Sequence, residues 1–157
     1  MVLIGLYGGK AASRVCIATK LETHPAARVN VLSLPPIPGM SGEARAAQVA
    51  EEGPARARLL ETHLARLDRR NDAPHLVITH VESLEEVAAI RAHGGVMWFV
   101  KGVPSDIIPI QPADLGVSLT PGESHYLYPA EALHQELMTQ RQAQREQRRA
   151  QAQKGGC

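Results

Sequence analysis

The sequence predicts a three-layer α/β fold with a mainly parallel central sheet, and three observations carry that expectation. Short apolar runs at residues 2–6, 29–34, 76–79 and 96–101 alternate with helix-like stretches, the strand–helix rhythm of a wound sheet. Leu76-Val77-Ile78-Thr79 is too apolar to keep a wet face, so its sheet is covered on both sides. The 157 residues suit one domain, with 44% hydrophobic and 21% charged residues, a globular balance. Aromatic residues make up only 3%, so the core must be built from aliphatic side chains.

Taken in order, residues 2–6 form a buried strand that runs into Gly8-Gly9-Lys10. A helix over residues 13–21 follows, with Val15, Ala18 and Leu21 as its apolar row, until His24-Pro25 stops it. The strand at 29–34 ends in Pro35-Pro36-Ile37-Pro38-Gly39, where the prolines remove sheet donors. Residues 43–70 read as two helices or one broken helix, the second starting at Pro54, with Leu59, Leu60, Leu64 and Leu67 as its stripe. Asn71-Asp72-Ala73-Pro74 is a turn into the strand at 76–79.

The helix at 83–93 opens on a capping box, Ser83 to Glu86, and closes on Gly94-Gly95. A strand at 96–101 precedes a Pro/Gly-punctuated region, with short β-like pieces at 107–110 and 126–128. Residues 130–153 form one helix, polar throughout its last turns. On this reading residues 1–138 are the α/β domain and 139–157 a polar, basic helix and tail. Gly155-Gly156-Cys157 has the composition of a terminal remnant and is left out of the fold.

A net charge of +1 excludes a chain that meets nucleic acid over its whole surface. The charge is uneven, however. Over residues 141–157 four Arg and one Lys face one Glu, a net +4, which leaves −3 for the rest. Arg141, Arg145 and Arg148 fall close to one helical face, a candidate surface for an acidic partner or nucleic acid. Two cysteines are too few for a disulfide framework, and Cys16 reads as a small buried hydrophobe. No apolar run approaches the roughly 18 residues of a membrane span, so the expectation is a cytoplasmic protein with no membrane partner.

A strand running into glycines and a helix is where α/β proteins bind phosphate, because backbone N–H groups and the helix N-terminus face the anion. Gly8, Gly9, Lys10, Ser13 and Arg14 are the candidate anion-binding residues. Set against a Walker A loop, Ser13 stands where the second Gly belongs, Arg14 where the Lys belongs and Val15 where the Mg²⁺-binding hydroxyl belongs. At the third strand's end His80 and Glu82 alternate into the expected ligand crevice. Neither has a third ligand at metal spacing, so no metal site is expected. His63, His75, His93, His125 and His134 read as surface or boundary residues, and Ser33, Ser118 and Ser124 sit in no nucleophile elbow.

Ile4-Gly5-Leu6-Tyr7-Gly8 resembles the opening of P-loop nucleoside monophosphate kinases. The stretch from Leu76 through His80, Glu82 and Glu86 to Gly94-Gly95 is similar to one in phage-type deoxynucleoside monophosphate kinases. Val31-Leu32-Ser33-Leu34-Pro35 is similar to that family's second strand, and residues 126–133 to its last strand and helix. The resemblance covers residues 2–138 and implies a P-loop-type fold. It also implies that His80 stands where the family has Asp and Glu82 where it has Arg, while Glu86 is retained. Arg66, Arg69 and Arg70 read as a solvated helix end with cations at its C-terminus, the alternative being a phosphate-binding lid such as those kinases have.

With the metal hydroxyl, the metal-side carboxylate and a phosphate-side Arg replaced, most of the rate of phosphoryl transfer is lost. The resemblance therefore implies a non-catalytic relative that binds a protein partner, or a nucleotide without turnover. No cofactor is expected, and a phage origin would place the chain in the host cytoplasm. The first alternative is an active, divergent nucleoside monophosphate kinase using ATP and Mg²⁺. The second is a small nucleic-acid-associated protein acting through its basic tail.

Overall fold

The computed structural model describes residues 1–25, 27–38, 42–69 and 73–154. Five strands, β1 Leu3–Tyr7, β2 Val29–Leu32, β3 His75–Ile78, β4 Val96–Val100 and β5 Leu115–Val117, form one sheet in the order β2-β3-β1-β4-β5. Every pairing is parallel. That order differs from the dinucleotide-binding and flavodoxin-like orders. The helices are α1 Ala11–Glu22, α2 Glu43–Asp68, α3 Leu84–Ala92 and α4 Pro129–Lys154.

Strand alternation divides the core in two. Leu3 and Tyr7 of β1, Leu76 and Ile78 of β3, and Met97 and Phe99 of β4 pack with Leu60, Leu64, Val87 and Ile90 of α2 and α3. Ile4, Leu6, Val77, Trp98 and Val100 point to the other face and pack with Ile17, Ala18 and Leu21 of α1 and Leu133 of α4. Both faces of the sheet are covered, as the apolar run at β3 requires. Gly5 lets α3 approach the sheet, since a Cβ there would lie 2.7 Å from Ile90 Cδ1.

The cap of α3 forms as expected. Ser83 Oγ accepts from the Glu86 N–H at 3.2 Å, and the Glu86 carboxylate accepts from the N–H groups of Glu82 and Ser83. At the other end Gly94 takes φ +72°, and the bonds Gly94 N to Arg91 O and Gly95 N to Ile90 O make a Schellman close.

Other expectations are corrected. Helix α1 starts at Ala11, two residues before the expected start at Ser13, so the turn after β1 is only Gly8, Gly9 and Lys10. Its buried face is Arg14, Ile17, Ala18 and Leu21, while Val15 is 44% exposed and Cys16 is also exposed. Once packing set the rotation of α1, the stripe at positions 14, 17, 18 and 21 faced the core, and Val15 and Cys16 faced out. Residues 43–68 are one helix running through Pro54, whose ring lies on the exposed side. Leu59 is 65% exposed, whereas Leu60 and Leu64 are buried.

The strand missed by periodicity is β5, only three residues long and centred on Gly116. Residues 107–110 are not a strand; Ile108 is a single core anchor. Leu127 makes only an isolated bridge, to Val117. Arg70, Asn71, Asp72 and Gly155-Gly156-Cys157 lie outside the described residues. Among the described residues no helix is long and apolar enough to cross a membrane.

Candidate functional site

After β1 the chain passes to the face of α1, and after β3 to the face of α3. Adjacent strands whose connections part in this way leave a crevice at their carboxyl ends. It opens into a cleft of about 460 Å³ between Gly8 and Gly9, Arg14, Glu82, the Pro36–Pro38 segment and residues 103–106.

Arg14 lies in the first turn of α1, and helical side chains lean toward the N-terminus, so its guanidinium reaches back over the loop. The residue is only 7% exposed. Its Nη1 donates to Gly8 O at 2.6 Å and Gly9 O at 3.3 Å, and its Nε to His80 Nδ1 at 3.2 Å. Its Nη2 donates to Glu82 Oε1 at 3.1 Å. The other Glu82 oxygen accepts from Arg45 Nη2, on the first turn of α2. Glu82 is 4% exposed, and a buried carboxylate persists only when paired, here with two guanidinium groups.

The polarity of the turn is therefore the reverse of an anion cradle. Its glycine carbonyls face a cation, while the Gly9 N–H is already taken by Val103 O at 2.9 Å. The glycines serve packing. Gly8 and Gly9 have φ of +68° and +55°, and a Cβ on Gly9 would lie 2.9 Å from Val100 O. Glu82, which stands where the resembling family has Arg, is neutralised by Arg14 and Arg45.

Titration follows the same geometry. Burial holds the Arg14 pKa below its usual value, with Glu82 opposing and Arg45 adding to the shift. Burial, then the neighbouring Arg14, lowers that of His80 and keeps the ring neutral, as an Nδ1 acceptor must be. Burial raises the pKa of Glu86 despite three hydrogen bonds and Arg56.

Arg56 joins the parts. It donates to Glu86 Oε1 at 3.1 Å, Pro35 O at 2.6 Å and His80 O at 2.7 Å, tying the proline segment to the end of β3 and the cap of α3. A second anchor holds the residues that follow β4. Tyr7 Oη and Arg91 Nη2 donate to the two Asp114 oxygens at 2.6 and 2.9 Å.

Of the expected anion-binding residues, the structure thus gathers Gly8, Gly9 and Arg14 with His80 and Glu82. Lys10 caps α1 from an exposed position, and Ser13 borders a separate hollow with Lys101, Ser118 and Thr120. Arg66 and Arg69 lie at the far end of α2, about 30 Å of helix from Arg45, and do not reach the cleft. Arg45 and Arg56 were missed, although a signal existed. With Val49, Gly53, Leu60 and Leu64 they fall on one stripe at spacings of three and four. Among the described residues no group of three or more His, Cys, Asp or Glu is placed to hold a metal.

No protein-family model matches the chain, and no curated protein matches it. Among solved structures it is similar to a hexameric APS kinase from Thiobacillus denitrificans, with a TM-score of 0.42 and 15% identity. The similarity covers 90% of this chain and 29% of that one, so the chain spans less than a third of that protein's length.

Proposed function

We propose that this chain is a non-catalytic relative of the phage-type deoxynucleoside monophosphate kinases. It keeps a cleft at the carboxyl edge of a parallel sheet and binds a protein partner, or holds a nucleotide, without transferring phosphate. One observation carries the reading. The Arg14 guanidinium fills the first turn and consumes the loop carbonyls, a ring nitrogen of His80 and one oxygen of Glu82.

Phosphoryl transfer needs inward backbone donors, a cation aimed at phosphate and an oxygen for Mg²⁺. Here the Gly9 donor is turned to Val103, Arg14 is held by four acceptors, both Glu82 oxygens face arginines, and Val15 offers no oxygen.

The test is a transfer assay. Purified full-length chain with Mg²⁺-ATP and each deoxynucleoside monophosphate should form no diphosphate above background, by chromatography of the nucleotides. Calorimetry should show weak ATP binding that chelating the Mg²⁺ leaves unchanged. Robust turnover would overturn the reading and establish the divergent, active kinase.

A further inference from the structure

We propose that the free half of α4 is a docking surface for the phosphate backbone of duplex nucleic acid, independent of the cleft. Helix α4 is anchored through its first three turns, where Ala132 and Leu133 are buried and Leu137 packs on the core. The Gln140 side chain donates to Met1 O, and the Arg141 charge lies near enough to His75 to add to the lowering of its pKa. From Arg141 to Gln153 every residue is exposed, over about 20 Å of helix.

Along that half, Arg141, Arg145 and Arg148 fall within about 60° of one another at the helical 100° per residue, with Arg149 beside them. The one carboxylate of the stretch, Glu146, lies well off this stripe and accepts from Gln142 Nε2 at 3.1 Å. Complementing the helix dipole would place cations in the last turn only; Arg141 and Arg145 stand two to three turns earlier.

The chemistry of the surface selects the occupant. Protein interfaces centre on aromatic and Arg anchors desolvated within a packed apolar core, and after Met138 this helix carries no apolar side chain larger than Ala to build that core around its arginines. What remains is arginine and glutamine, donors that suit phosphate and sugar oxygens without reading bases. The net +4 of residues 141–157 against −3 elsewhere turns this end, rather than the body, toward a polyanion.

The test uses the full chain and a fluorescein-labelled DNA duplex of arbitrary sequence, read by anisotropy across a salt series. Three phosphate contacts give a log–log salt slope of about −2.7, or about a 40-fold loss of affinity between roughly 50 and 200 mM salt. The triple variant Arg141→Gln, Arg145→Gln, Arg148→Gln should lose most of that slope while its melting temperature stays put. Glu146→Gln should bind more tightly. Absence of binding at low salt, or an unchanged slope in the triple variant, would overturn the proposal. Displacement of the duplex by polyglutamate at equal charge would also overturn it, pointing instead to an acidic protein partner. None of these readouts depends on nucleotide binding or phosphoryl transfer, so the cleft reading stands or falls separately.

Discussion

Arg14 is held by acceptors from two segments, Gly8 and Gly9 after β1 and His80 and Glu82 after β3. Its removal strands a buried carboxylate, although Arg45 keeps one Glu82 oxygen paired. Arg14→Met should therefore cost about 3 kcal/mol, a fall of about 9 °C in Tm. Arg14→Met with Glu82→Gln should cost less than the two single changes summed, by about 1 to 3 kcal/mol. Additivity in thermal melts would show that the pair does not act as a unit. His80 supplies a pH test. Its folded pKa lies below the ordinary 6.5, so below that pH the unfolded chain binds the proton more readily. Stability is then full above pH 6.5 and declines as pH falls toward the lowered folded value. His75, an acceptor from the Val2 N–H, shifts the same way through burial. Glu86, raised from 4.5, acts in the opposite sense as pH climbs from that value. Denaturant midpoints should therefore fall less on acidification in His80→Gln than in the parent, and identical pH profiles would remove His80 from the network.

The elements show which local signals survived packing. The cap of α3 formed as written because Ser83, Glu86 and Gly94 act within one turn and need no distant partner. Helix α2 did not break at Gly53-Pro54. A Cβ on Gly53 would meet Ser83 Cβ at 2.9 Å, so this glycine lets α2 cross close to α3, while Pro54 faces outward. Pro54→Ala should restore a helix donor at an exposed site and stabilise by about 1 to 2 kcal/mol, the gain reduced by greater freedom of the unfolded chain. A loss of stability in urea melts would mean that α2 needs its proline. The glycines separate in the same way. Gly94 has φ +72° with open space around it, and Gly94→Ala should cost about 1 kcal/mol. Gly9 combines φ +55° with backbone oxygens at 2.9 and 3.0 Å, and Gly9→Ala should cost about 3 kcal/mol. Equal losses would undo the packing explanation of the Gly-Gly turn.

For the molecule as a whole, the parallel sheet and its two helical layers account for the burial of α4 only as far as Gln140. Ending the chain after Gln140 should move the melting temperature by no more than 1 to 2 °C, about 0.5 kcal/mol, because residues 141–153 are all exposed. A large loss on that truncation would show that the distal helix belongs to the core and would remove its surface role.

The sequence by itself determined the strand–helix alternation, the double coverage of the sheet and the α3 cap, since each depends on neighbours in the chain or on the sheer apolarity of a run such as Leu76-Val77-Ile78. It also marked Gly8, Gly9, His80 and Glu82 as candidates through their place after strand ends, and Arg14 through its place at the start of the helix that follows. Only the tertiary structure decided their chemistry. Arg14 and Glu82 are 68 positions apart, and nothing local says that one charge will neutralise the other. The same holds for Arg45 and Arg56, whose inward direction follows from the rotation of α2 on the sheet. The sequence offered a cation beside an anion-shaped turn. The fold turned that cation onto the turn's own carbonyls, because a buried guanidinium and a buried carboxylate must satisfy each other where water is excluded.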